Sequence, residues 1–144
     1  MGHEDVGHFA EKHPKNTQLD PAVEEKIKQH LSGDQLNCAA AHRIAEALSV
    51  APAQIGIAMD LMEVRIGKCQ MGLFGYQPQK RIVTPAPSVP AKLKQDIQNA
   101  LTDNRISCQR CWKLAAEHNI RKIDVAAACE SLQIKVNHCQ LGAF

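Results

Sequence analysis

Cys69-Gln70-Met71-Gly72-Leu73-Phe74 returns seventy residues later as Cys139-Gln140-Leu141-Gly142-Ala143-Phe144. Working outward from this run, Cys38 returns as Cys108 at the same offset, and residues 21–74 align with 91–144 without a gap. Between Ile27 and Phe74, nine of 48 aligned positions are identical, where about three would be expected at ordinary composition. Many others exchange like for like, among them Leu36/Ile106, Ile44/Leu114, Val50/Ile120, Ile55/Val125, Asp60/Glu130 and Val64/Ile134. The chain is two copies of one small unit, a reading that takes precedence over local propensity. A feature present in both copies points to the fold, and one present in a single copy points to function.

The repeat divides the chain into a polar flexible tail at 1–19, a first repeat at 20–76, a Pro-rich linker at 77–90 and a second repeat at 91–144. Each repeat is near the lower limit of size for independent folding. Aromatic residues make up only 3% of the chain against 44% apolar overall. The cores must therefore be aliphatic, which favours helices over sheet. No cleavable signal and no run of 18 apolar residues is present, so neither secretion nor a membrane span is expected. Six cysteines in such a chain read as free thiols or metal ligands of a reducing cytoplasm, not as a disulfide scaffold. The charge is uneven, −2 in residues 1–20 and −1 in the first repeat against +2 in the linker and +3 in the second repeat. Any polyanion should meet the linker and second repeat. His3, His8 and His13 in the tail could share a metal, but an unstructured terminus accounts for them.

Asp20-Pro21 is an N-cap followed by a first-turn proline. Val23, Ile27 and Leu31 share one helical face, repeated by Leu93, Ile97 and Leu101. Gly33 suits a helix stop. Asn37 and Ser107 are N-cap types, so a second helix should begin at Cys38 and Cys108 and run to about Leu48 in the first copy. A short break precedes a third helix from Pro52 to about Met62. Val64-Arg65-Ile66 and the Cys69–Phe74 run, separated by Gly67-Lys68 or by Asn137-His138, fit a two-residue hairpin. Pro78, Pro85, Pro87 and Pro90 make the linker semi-rigid.

Two helices joined by a tight turn, with Ala45 at the close contact and Ile44, Leu48, Val50 and Ile55 at core positions, resemble the winged helix-turn-helix family. Leu114, Ala115, Ile120 and Val125 match in the second copy, where His118 replaces Leu48. Ser49 and Asn119 stand where that motif often has Gly, and Asn accepts the left-handed conformation. The resemblance implies a mainly α fold with short β-hairpins, in two winged helix-turn-helix-like three-helix units. It also implies a strand at Leu36 and Ile106 pairing with the hairpin, which brings Cys38 towards Cys69 and Cys108 towards Cys139.

The family places its third helix in the DNA major groove. Here Ala51, Ala53, Gly56, Ile57 and Asp60 face outward in the first copy, with Gln54 the sole residue suited to reading bases. The small apolar face of Ala53, Gly56 and Ile57 suits association with protein, through the other repeat or a second subunit. In the second copy Arg105, Arg110, Arg121 and Lys122 can hold phosphates without reading bases.

Cys38/Cys108 and Cys69/Cys139 fit buried apolar positions. Cys111 aligns with Ala41 and belongs to one copy only. Cys108-Gln109-Arg110-Cys111 at a helix start lowers the first thiol's pKa. With Cys139 and His138, or Cys129, it could form a zinc site. No catalytic constellation is present. Asp60 and Glu130 read as ordinary surface pairing. The sequence thus predicts a non-enzymatic cytoplasmic regulatory or adaptor protein, associating with DNA and with protein, either as a dimer or with a separate partner. It predicts no membrane association, no small-molecule substrate and no obligatory cofactor. The alternative is a thiolate metal-binding or redox-sensing protein.

Overall fold

A computed structural model describes residues 9–144. Six α-helices and four short strands follow one order twice: helix, strand, helix, helix, strand. In the first copy these are α1 (Pro21–His30), β1 (Gln35–Asn37), α2 (Cys38–Leu48), α3 (Pro52–Leu61) and β2 (Arg65–Gly67). In the second they are α4 (Ala91–Asn99), β3 (Arg105–Ser107), α5 (Cys108–His118), α6 (Lys122–Ser131) and β4 (Lys135–Asn137).

The ends of these helices arise from their residues. Asp20 caps α1, its carboxylate accepting the Ala22 N–H at 2.9 Å, and Pro21 fills the first position, where no N–H is needed. Ser107 caps α5, its hydroxyl accepting the Arg110 N–H at 3.2 Å. Both second helices stop in the left-handed conformation, at Ser49 (φ 54°) and Asn119 (φ 53°), which returns their N–H groups to the last turn. The axes of α2 and α3 then differ by 116°, within the range of paired helices joined by a tight turn. Among the described residues no single helix is long and apolar enough to cross a membrane.

The mainly helical class with short strand pairs is what forms, but each pairing differs from the expected hairpin. β1 and β2 run parallel, Leu36 opposite Ile66, and β3 and β4 run parallel, Ile106 opposite Val136. Tight two-residue turns do occur, one step earlier in the chain. Ser32 bridges Gln35 and Thr102 bridges Arg105, both antiparallel. Positive φ is supplied by Gly33 in one copy and by Asp103 and Asn104 in the other. After β2 and β4 the chain does turn through positive φ, at Lys68 and His138. The runs Cys69–Phe74 and Cys139–Phe144 then form turns and no strand.

The reason is where those runs are buried. The chain divides into two compact units. One takes the described residues up to Cys69 and also Gln140–Ala143; the other takes Gln70–Cys139 and Phe144. Each repeat's closing run thus completes the unit built by the other repeat. In the first unit, Leu141 is 2% exposed, and a Cβ at Gly56 would stand 1.8 Å from its carbonyl oxygen. Only glycine lets that backbone lie so close to α3. In the second unit, Met71 is fully buried, and a Cβ at Gly72 would lie 2.7 Å from Ile123 Cδ1. Phe74 and Phe144 meet there edge to face, 6.1 Å apart.

Both units also extend ahead of their first helix. In the first, Phe9–Lys12 forms one 3₁₀ turn with Phe9 buried. The Glu63 carboxylate accepts the N–H groups of Phe9 and Ala10 at 2.9 and 3.1 Å. Asp60 is buried and pairs with His13 at 2.8 Å and Lys12 at 3.1 Å. These residues fall in the stretch expected to be a flexible tail, and Asp60 is no surface group. His3 and His8 lie outside the described residues. In the second unit, Arg81 pairs with Glu130, the equivalent of Asp60, and Val83 is buried. Residues 81–86, expected to be linker, are therefore packed on α6.

Candidate functional site

β3 and the start of α5 set a polar concavity of the second unit. Arg105 and Arg110 line a groove of about 640 Å³ with Ser107, Gln109, Asn137 and His138, and with one carboxylate, Asp103. Ile106 is fully buried and fixes β3, so Arg105 is turned outward. Arg110 occupies the first turn of α5 and is exposed. Its guanidinium donates to the Ala100 carbonyl at the end of α4 and, at 3.4 Å, to the Thr102 hydroxyl, which orients it beside the groove. His138 enters from the turn after β4. The equivalents in the first unit are Gln35, Ala40 and Lys68. The two arginines are thus a feature of one copy.

The other two basic residues expected to meet phosphates stand elsewhere. Arg121 caps α6 and binds Asp124 through Nε at 3.1 Å and Nη2 at 2.9 Å. That hydrogen bond holds the Asp124 carboxyl below the usual carboxylate range and pushes Arg121 up. Lys122 Nζ lies 4.5 Å from the centre of the Trp112 ring, a cation–π contact. Their charges are engaged at the start of α6.

The zinc set is not assembled. Among the described residues no three His, Cys, Asp or Glu side chains converge on a possible metal position. Cys108 and Cys111 are one helical turn apart, but Cys111 turns to α6 and hydrogen-bonds Cys129. Both are almost wholly buried. The bond to Cys129, then burial, pushes the Cys111 thiol up, away from the reactive thiolate. His138 is exposed. No disulfide joins any of the six cysteines. The parallel register sets Cys38 just past Asn37 and Cys69 two residues past Gly67, at one end of the β1–β2 pair. Cys108 and Cys139 come after Ser107 and Asn137 in the same way.

On the face expected to associate, Ala53 is exposed, Ile57 half-buried and Gly56 buried beneath Leu141. One polar pair has no motif or periodicity to announce it. His118 Nε2 lies 2.8 Å from Asp96 Oδ2, and Lys92 flanks the same carboxylate at 3.1 Å. The His118 bond first, and Lys92 second, hold the Asp96 carboxyl below the usual range. The one signal in the sequence is that His118 and Asp96 stand where the first copy has Leu48 and Lys26.

No protein-family model, curated protein or solved structure matches this chain.

Proposed function

We propose that this is a non-enzymatic regulatory or adaptor protein of two winged helix-turn-helix-like units, whose second unit holds DNA by its phosphates. The observation that carries this reading is the convergence of Arg105, Arg110 and His138 on one groove of the second unit, against Gln35, Ala40 and Lys68 in the first. Arginine forks suit phosphate oxygens, and Gln109 and Asn137 add neutral hydrogen-bonding groups. The 116° turn between α2 and α3 supports the helix-turn-helix likeness. The parallel strand pairs replace an antiparallel wing. With Gly56 covered and Ile57 half-buried, the third helix of the first unit serves association with protein, and base reading is not its task.

The test is a titration of a short DNA duplex into the full chain at several salt concentrations. Two or three phosphate contacts give a slope of log affinity on log salt of about −2 to −3, with little sequence preference. Arg105→Ala with Arg110→Ala lowers affinity about tenfold or more, while Arg121→Ala changes it little. A thermal melt controls for Arg110's bond to α4. Salt-insensitive or sequence-specific binding, or affinity unchanged by the double substitution, overturns the reading.

A further inference from the structure

The Pro-rich stretch that leads into α4 is anchored as a wall. Ile82 and Val83 donate backbone N–H groups to the Gly72 carbonyl at 2.9 and 3.1 Å, and Ala86 N–H donates to the Ala127 carbonyl of α6 at 3.0 Å. Pro85, Pro87 and Pro90 have φ fixed by their rings. The wall is therefore largely set before any ligand arrives. Between it and the facing ends of α5 and α6 lies a cavity of about 520 Å³, the size of a small-molecule site.

Its surface is mainly aliphatic, from Ile82, Pro87, Leu93, Ile120 and Ile123. The ionisable groups on it are His118, Arg121 and Asp124. Arg121 and Asp124 neutralise each other at 2.9 Å. His118 is held by Asp96 through Nε2, and since a carboxylate only accepts, Nε2 carries the proton. In the neutral ring the remaining nitrogen, Nδ1, is an acceptor. The cavity thus pairs apolar walls and internally compensated charge with a few hydrogen-bonding groups, the His118 ring and the hydroxyls of Thr84 and Ser88. The first copy has Leu48, Lys26 and Ala53 at the positions of His118, Asp96 and Ile123, so this combination belongs to the second unit alone.

We propose that this cavity is a binding site for a small, uncharged, ring-containing molecule with one N–H or O–H donor. Ion compensation disfavours a charged ligand, and the aliphatic walls favour a flat apolar body. The donor is met by His118. This site is separate from the groove of Arg105 and Arg110 and stands or falls independently of DNA binding.

The experiment uses the full chain, with indole, toluene and benzoate as probes and amide NMR shifts as the readout. Indole should bind saturably, shifting residues 82–90 and 118–127. Benzoate should bind at least tenfold more weakly. His118→Leu should lower indole affinity by fivefold or more while leaving toluene unchanged, a split that loss of packing alone would not give. Ala127→Leu, which fills the cavity, should weaken both neutral probes by tenfold. Because that variant could disturb the Ala86 anchor, the His118→Leu split serves as the independent arm. Absence of saturable indole shifts at millimolar concentration overturns the proposal. So does tighter binding of benzoate, or shifts spread over the surface and indifferent to both substitutions.

Discussion

The two units share a frame and differ at its corners. Ile27 and Ile97, Leu36 and Ile106, and Ile55 and Val125 are all fully buried at matching positions. Both second helices end in the left-handed conformation, and both units take an acid at the end of the third helix to hold a basic residue ahead of the first. Gln35, Ala40, Lys26 and Leu48 face Arg105, Arg110, Asp96 and His118 across the alignment. The shared positions specify packing, and the divergent ones set Arg105, Arg110, Asp96 and His118 in the second unit only.

The sharpest break in the symmetry is Gly56 against Ala126. Ala126 carries a Cβ at 1% exposure, whereas a Cβ on Gly56 would strike the Leu141 carbonyl. Gly56→Ala gains about 1 kcal/mol of helix propensity. It must also push the Leu141 backbone off α3, against about 1.5–3 kcal/mol of side-chain burial and further overpacking strain. We expect a net loss of about 2 kcal/mol, with faster hydrogen exchange at Gln140–Ala143. Ala126→Gly should cost about 1 kcal/mol of propensity and about as much again for the buried methyl. A stabilising Gly56→Ala would mean that the closing run does not lie on α3.

Much of this frame was legible. Asp20, Ser107 and Pro52 mark helix starts because each has a local reason to be there, Asn37 marks one by position without a side-chain cap bond, and Ser49 and Asn119 mark the turns by their left-handed conformation. The fate of Cys69–Phe74 was not legible. Alternating apolar residues after a turn read equally as a returning strand or as a plug, and only burial of Met71 elsewhere decides it. Asp60 looked like a surface acid because its partners, Lys12 and His13, lie some 47 residues away in a polar stretch. Composition named Arg105, Arg110, Arg121 and Lys122 as basic residues. It could not tell the first two from the last two, whose charges are taken by Asp124 and the Trp112 ring.

A second difference lies inside the core. Ala41 and Met59 are both fully buried at the positions of Cys111 and Cys129. A methyl beside a long thioether in one unit is replaced by two thiols in the other, so one member grows while the other shrinks. Cys111→Ala leaves a small void and Cys129→Met overpacks, each costing about 1–2 kcal/mol. Together they recreate the first unit's pair, and the double variant should lose less than the sum of the singles. Denaturant unfolding of the four proteins measures the coupling directly. Additive losses would show that the two side chains neither share one space nor couple through their hydrogen bond.

The smallest effect separates the units by pH. Asp96 is held below the ordinary carboxylate range by His118 first and Lys92 second; its equivalent in the first unit is Lys26. A carboxyl with a depressed folded pKa adds stability above its unfolded value. That contribution is lost as pH falls through the folded one. The tie between α4 and α5 is therefore intact at neutral pH and weakens from about pH 4 downward. Asp96 is only partly buried, so the change is small and screened by salt. His118→Leu restores the first unit's residue and removes the principal cause of the shift. The stability difference between wild type and His118→Leu should include an acid-sensitive part that disappears between about pH 4 and pH 2, and the Asp96 titration in the variant should move back towards 3.8. Asp124 serves as the internal reference, since its own shift comes from Arg121 and should not move. A stability difference independent of pH would make His118 a packing residue like Leu48, and would erase the electrostatic distinction between the two copies at that corner.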